Sequence, residues 1–247
     1  MRGGPAMRGG PATRGAAATR RGPATSNGRT RPYTRSVAAL ASRLRLGPRA
    51  VLIPVKDFSV AKLRLAPALS PDQRAALARA MAERVVRAAR ELPVAVVCDD
   101  TAVASWARDQ GALVVWAPER GLNHAVQDGV RRLAELGVAH VTVAHSDLPH
   151  ADDLTWVGDW AGLTLVPDRR EEGTTVIGLP TDCGFVFSYG PGSFGRHLAE
   201  AQRLRLDTRV ERSSTLSWDV DLPGDLGTVT PSPQPQPQPR SQPQPQP

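Results

Sequence analysis

Among residues able to do chemistry, two lysines stand apart. The 247-residue chain carries 31 Lys plus Arg, and its two lysines, Lys56 and Lys62, lie six positions apart within VLIPVKDFSVAKLRLAP, Val51 to Pro67. A compact, mobile ammonium suits the crowded oxygens of a polyphosphate, where an arginine would present a planar fork. With Arg64 they form a basic loop directly after an apolar run, Val51 to Val55, of the length of a buried strand. The plainer alternative is two solvated lysines on a surface loop.

Acidic and anion-binding candidates follow. Asp147 lies just beyond an apolar run, in His145-Ser146-Asp147-Leu148-Pro149, where Leu-Pro stops the strand. Such a carboxylate is a hard oxygen ligand of the kind Mg2+ takes, with substrate phosphates and water completing the octahedron; the alternative is a cap on a helix near Ala151 to Trp160. Asp219 and Asp221, two apart in Trp218-Asp219-Val220-Asp221, share one side of an extended chain. One of them completes a magnesium site with Asp147, or both are solvated or capping. The turn Gly190-Pro191-Gly192-Ser193 precedes a helix, so its N–H groups and the Ser193 hydroxyl can converge on an anion, or Ser193 simply caps. Asn123 sits where a helix begins, as cap or as a contact to nucleotide. His145, Asp147 and His150 lack the HExxH or clustered cysteines of a zinc site. There is no GxxxxGK[ST], no GxGxxG turn after a strand and no GxSxG elbow. The set describes a site for two phosphorylated compounds and a divalent metal.

These residues need a frame, and the periodicity supplies one. Apolar runs at Val94 to Cys98, Leu113 to Trp116, Val138 to Ala144 and Leu163 to Val166 read as further strands. Ser70-Pro71-Asp72-Gln73 is a capping box with proline at the first helical position, opening a helix to about Glu91. Further helices are expected over Asp100 to Gln110, Leu122 to Leu136 and from the Gly190 turn to about Leu204, with a last strand through Cys183 to Ser188. Strand and helix alternating over short connections imply an α/β fold with a mainly parallel sheet covered on both faces. Ligands then sit beyond the carboxyl ends of the strands, which is where the basic loop, the loop Ala117 to Asn123 with Glu119 and Arg120, and Asp147 all fall.

The ends of the chain differ from its middle. Residues 1–49 hold eleven arginines, no Asp or Glu and a decaying MRGGPA repeat, and residues 228–247 are a Pro/Gln repeat with one arginine. Both read as disordered, an arm and a tail around one domain over 50–227; a mis-set translation start would also account for the arm. The net charge of +7 belongs to the arm, because residues 50–227 hold 19 basic against 24 acidic side chains. That domain has no basic face for specific nucleic-acid binding. No apolar run reaches 18 residues, there is no signal-peptide centre, and Cys98 and Cys183 stand alone, so a cytoplasmic protein is expected.

In order and spacing, several motifs together resemble a known family. They are the Lys-x5-Lys-x-Arg-Leu-Ala-Pro loop, Leu122-Asn123 before a helix, Asp147-Leu148-Pro149, Gly173 to Thr175, Gly190-Pro191-Gly192-Ser193-Phe194 with His197, and Asp219-Val220-Asp221-x-Pro-x-Asp-Leu. The chain looks like the guanylyltransferases that act on phosphoenolpyruvate or 2-phospho-L-lactate in the biosynthesis of coenzyme F-420, over about Val51 to Leu226. The resemblance implies a three-layer α/β/α nucleotidyltransferase fold, GTP as donor and a three-carbon phospho acid as acceptor. It places the acceptor at Thr175, Gly190 and Ser193, Mg2+ at Asp147 and Asp219, nucleotide at Asn123, and catalysis at Lys56, Lys62 and Arg64. The next enzyme of the same pathway becomes a candidate partner. Two departures stand: Leu63 replaces a small hydroxyl residue, and Gly173-Thr174-Thr175 lacks a second glycine, leaving the acceptor threonine open to a shift of one residue. The Arg- and Ala-rich composition suggests a high-GC bacterial source, which favours phosphoenolpyruvate. Alternatives are another NTP-dependent nucleotidyltransferase and a non-catalytic nucleotide-binding scaffold.

Overall fold

A computed structural model describes residues 46–118 and 121–228. The expectations for the arm and the tail, and for Glu119 and Arg120, lie outside the described residues, except that the folded part reaches back to Leu46, which packs on the core. Residues 46–49 belong to it for a physical reason: the Pro48 carbonyl accepts the N–H groups of Ala139 and His140, and the first strand starts at Arg49.

Seven strands form one sheet in the order β3-β2-β1-β4-β6-β5-β7. They are β1 (Arg49–Pro54), β2 (Val94–Cys98), β3 (Leu113–Trp116), β4 (His140–Ala144), β5 (Leu163–Pro167), β6 (Thr174–Pro180) and β7 (Thr208–Val210). All neighbouring pairs are parallel except those of β6, which runs antiparallel to β4 and β5. Among the described residues four α-helices cover it: α1 (Pro71–Ala88), α2 (Thr101–Asp109), α3 (Gly121–Glu135) and α4 (Ser193–Arg203).

Alternation along β1 shows how the layers form. Val51 and Ile53 point into one core, with Ala82 and Val85 of α1 and Trp106 of α2, while Ala50 and Leu52 point into the other, with Val126, Val130 and Leu133 of α3 and Ala201 of α4. The capping box opens α1 as expected: Ser70 accepts from the Gln73 N–H and Gln73 from the Ser70 N–H, a device of about 1 kcal/mol. Gly129 lets α3 approach β1 closely, since a Cβ there would stand 2.7 Å from the buried Leu52 Cδ2.

Two expectations are corrected. Cys183 to Ser188 is not a strand; it is extended chain whose polar groups bond helix side chains. Val186 N–H donates to Glu200, Phe187 N–H to Gln127 and Ser188 N–H to His197, while the Phe185 carbonyl accepts from Gln127. The ladder positions belong instead to β6 and to the short edge strand β7, for which no strands were expected.

The order reverses between β1 and β4, so the loops leaving these neighbours diverge and open a crevice at the carboxyl edge. The Lys56–Arg64 loop lies on one side of it and His145–Pro149 on the other.

Candidate active site

The loop after β1 is fixed by what flanks Lys62. Asp57 accepts the Ser59 N–H and starts a 3-10 turn, Phe58–Val60, whose buried Phe58 packs edge-on against Trp106 at 5.2 Å. Beyond Lys62, Leu65 is buried with Met81 and Val220. Held between these anchors, Lys62 adopts a left-handed backbone, φ 54°, which costs a non-glycine residue roughly 1 kcal/mol. The bend brings its ammonium to Asp147 Oδ2 at 2.5 Å and Asp221 Oδ1 at 3.1 Å. Arg64, largely exposed, donates to Asp221 Oδ2 at 3.4 Å, and Lys56 stays exposed.

The carboxylates divide by environment. Burial alone would lower the Lys62 pKa, but the charges of Asp147 and Asp221 outweigh it and hold the ammonium above its ordinary range. Burial would raise Asp147, and Lys62 outweighs that and holds it ionised. Asp219 has no such partner: burial first, then the charges of Asp147 and Asp221, push its carboxyl up to about 6. One oxygen on each of Asp147 and Asp219 is buried without a hydrogen bond. Such groups are rare in folded proteins and ask for an occupant. Among the described residues no group of three or more His, Cys, Asp or Glu side chains can hold a metal ion by itself. The orphaned oxygens of Asp147 and Asp219 are hard donors of the kind a divalent cation takes when substrate oxygens supply the remaining ligands. His145, its Nε2 also buried and unpartnered, has Nδ1 3.9 Å from Asp147, and burial keeps its ring neutral.

Across the crevice, a network of hydrogen bonds sets out the Gly190 turn and the start of β6. His197 is fully buried, and burial holds its pKa down at about 4. Its Nε2 accepts the Ser188 N–H at 2.9 Å, so the ring proton sits on Nδ1 and is donated to Thr174 Oγ1 at 3.0 Å. That leaves the Thr174 O–H free to donate. The Thr175 hydroxyl is spent on the Val166 carbonyl, 3.1 Å away. Ser193 Oγ accepts the Thr174 N–H at 3.1 Å, and its own O–H remains available. Gly192, not Ser193, is the N-cap of α4. Gly190 sits at φ 117°, open only to glycine.

One cavity of about 710 Å³ joins these parts, a size usual for small-molecule sites. It is lined by Lys56, Lys62, Arg64, Asp147, Asp219, Thr175, Gly190 and Ser193, so eight of the nine residues chosen from sequence meet there. Asn123 does not line it. Its Oδ1 accepts the Tyr189 N–H at 2.6 Å and its Nδ2 donates to the Tyr189 carbonyl at 3.4 Å, on the third residue of α3 rather than at its cap. Thr174, within the shift of one residue left open for the acceptor threonine, also lies on the wall, together with Tyr189 and Arg170, to which the sequence assigned no role.

The family model described as "Guanylyl transferase CofC like" matches residues 49–231. The chain belongs to this family. A CofC-like relative named phosphoenolpyruvate guanylyltransferase, from Rubrobacter xylanophilus, is 35% identical over 190 residues, covering 73% of this chain and 93% of its own. Another, named 2-phospho-L-lactate guanylyltransferase, from Methanocaldococcus vulcanius, is 26% identical over 185 residues, covering 72% and 83%. Among solved structures, a Desulfovibrio desulfuricans protein assigned as a nucleotide-diphospho-sugar transferase superposes with a TM-score of 0.62 at 16% identity, covering 74% of this chain and 86% of that one. That likeness bears on fold alone, and it agrees with the mixed, mostly parallel α/β/α architecture. By family, the chain is thus a nucleotidyltransferase.

Proposed function

We propose that this protein transfers GMP from GTP to phosphoenolpyruvate, forming enolpyruvoyl-2-diphospho-5'-guanosine and pyrophosphate, as a step of coenzyme F-420 biosynthesis. The observation that carries the reading is the single cavity in which a basic loop, two carboxylates with orphaned oxygens and a wall of free hydrogen-bond donors face one another. The higher identity to the relative named for phosphoenolpyruvate, 35% against 26%, favours that acceptor over 2-phospho-L-lactate.

The chemistry asks little of the side chains beyond placement. An acceptor phosphate is ionised near neutral pH, so no general base is needed. Its oxygen attacks the α-phosphorus of GTP in line, a phosphorus–oxygen bond forms, the bond to the β-phosphate breaks, and pyrophosphate leaves with the electron pair. Lys56, Lys62 and Arg64 neutralise the leaving pyrophosphate. The Ser193 and Thr174 hydroxyls and the Gly190 N–H hold the acceptor, with Thr175 shaping the wall behind them. Asp147 and Asp219 would hold Mg2+, whose chemistry is to neutralise phosphate charge and align the two substrates. Lys62 bonds Asp147 and Asp221, and exchanging Asp147 for phosphate oxygens would free it to bind pyrophosphate. Among the described residues no helix is long and apolar enough to cross a membrane, in keeping with the cytoplasmic location proposed here. The test is pyrophosphate release from each of the four NTPs, with and without each acceptor. Release restricted to GTP and dependent on phosphoenolpyruvate is expected; GTP binding without release under any acceptor would refute the enzymatic reading.

A further inference from the structure

The turn that faces the acceptor is held by residues outside the cavity, and they leave a conspicuous donor unused. Arg196, one turn into α4, folds its guanidinium back onto the turn. Nε donates to the Ser188 carbonyl at 3.2 Å and to Ser188 Oγ at 3.0 Å, one terminal nitrogen to the Pro191 carbonyl at 2.5 Å, and the other to the carbonyls of Ser188 and Gly190 at 2.8 and 3.3 Å. On the other side, Asn123 takes both the N–H and the carbonyl of Tyr189. Ser188 N–H is bound to His197, and Ser193 N–H to the Gly190 carbonyl. From Ser188 to Pro191, every backbone polar group therefore has a partner among the described residues except one, the N–H of Gly190, and Gly190 lines the cavity.

The direction of that N–H is set from outside. In a trans peptide the carbonyl and the N–H point opposite ways, so an amide that holds the Tyr189 carbonyl also aims the Gly190 N–H away from itself. Arg196 gathers the remaining carbonyls on one side of the turn, where an isolated turn of two glycines would let them rotate toward an incoming anion and repel it. Among the described residues no carboxylate lies within ion-pair distance of Arg196, so its charge is committed to these carbonyls.

We infer that Asn123 and Arg196 are positioning residues, a two-sided clamp that presets the Gly190 N–H for the anionic acceptor. The inference rests on the reading that this turn binds the acceptor, and it moves Asn123 from a nucleotide contact to a support of the acceptor wall. A clamp of this kind saves the ordering cost that a mobile turn would meet at each binding event.

Steady-state kinetics on Asn123→Ala, Arg196→Gln and Arg196→Lys, with Ser193→Ala as a control, test it, with thermal melting to confirm folding. Each clamp variant is expected to raise the phosphoenolpyruvate KM about tenfold, equivalent to about 1.4 kcal/mol, and leave the GTP KM within about twofold. Arg196→Lys is expected to fail like Arg196→Gln, since one ammonium cannot reach three carbonyls in a plane. In a further variant, Arg196→Ala, which leaves room for the missing group, added guanidinium should restore much of the acceptor affinity. If Ser193→Ala raises the acceptor KM while the clamp variants leave it unchanged, the clamp is wrong. A GTP KM that rises with Asn123→Ala instead returns that residue to the nucleotide. If Ser193→Ala itself leaves the acceptor KM unchanged, the acceptor assignment of the turn falls, and the clamp with it.

Discussion

Asp219→Asn should stabilise the protein without ligand and disable it as an enzyme, and the size of the first effect follows from the site. The Asp219 carboxyl titrates at about 6 rather than the ordinary 3.8, because it is desolvated and the charges of Asp147, Asp221 and Asp168 all act in the same direction. Two units are worth about 3 kcal/mol at most, and partial exposure reduces this to about 1–2 kcal/mol. Above pH 6 the folded state carries the unfavourable charge in full. Between pH 6 and about 4 the folded carboxyl takes up a proton that the unfolded chain does not, and below that the penalty is gone. The variant should therefore melt about 2–8 °C above the wild type at pH 7.5, and the gap should close at pH 4. Millimolar Mg2+ with GTP should raise the wild-type melting temperature by mass action and leave the variant nearly unmoved. A variant that melts below the wild type at pH 7.5, or a gap that persists at pH 4, would refute the reasoning.

Three further substitutions probe the wall. Lys62→Met should cut turnover at least tenfold and lower stability by about 1–3 kcal/mol, because Asp147 and Asp221 lose their cation; Lys56→Met, at an exposed residue for which no ion pair is seen among the described residues, should cost activity alone. Turnover of Lys62→Met within about threefold, under roughly 0.7 kcal/mol, would remove Lys62 from the chemistry. The Tyr189 hydroxyl is buried without a partner, so Tyr189→Phe should raise unliganded stability by about 1 kcal/mol in a melting experiment, and a clear loss of stability would show that the hydroxyl is satisfied.

Where the sequence was legible, the physics was local. Strands β1, β2, β4 and β5 announce themselves as apolar runs because they are buried on both faces, the half-exposed edge strand β3 shows the same run, and the capping box of α1 is a contact between residues three apart. The aromatic alternation over Phe185, Phe187 and Tyr189 was a true signal of extended chain with one buried face. Alternation does not say what bonds the backbone, and here Gln127, Glu200 and His197 replace a neighbouring strand. Strand β6 escaped because Thr174 and Thr175 give it a polar start and Gly178 interrupts its apolar run; its threonines are buried by contacts with Ser193, His197 and Val166. The same distance hides function. The basic loop, Asp147 and the Gly190 turn were readable as local patterns, whereas the role of Asn123 depends on a hydrogen bond spanning 66 positions. The choice of Thr174 over Thr175 as free donor depends on the tautomer of His197.

The central claim is that an acceptor phosphate attacks the α-phosphorus of GTP, and the masses of the products decide it. With phosphoenolpyruvate carrying 18O in the non-bridging phosphate oxygens, all of the label should appear in a diphosphate-linked adduct of GMP and phosphoenolpyruvate, with unlabelled pyrophosphate released in equal amount. Label in the pyrophosphate, or GTP consumed without that adduct, would contradict it.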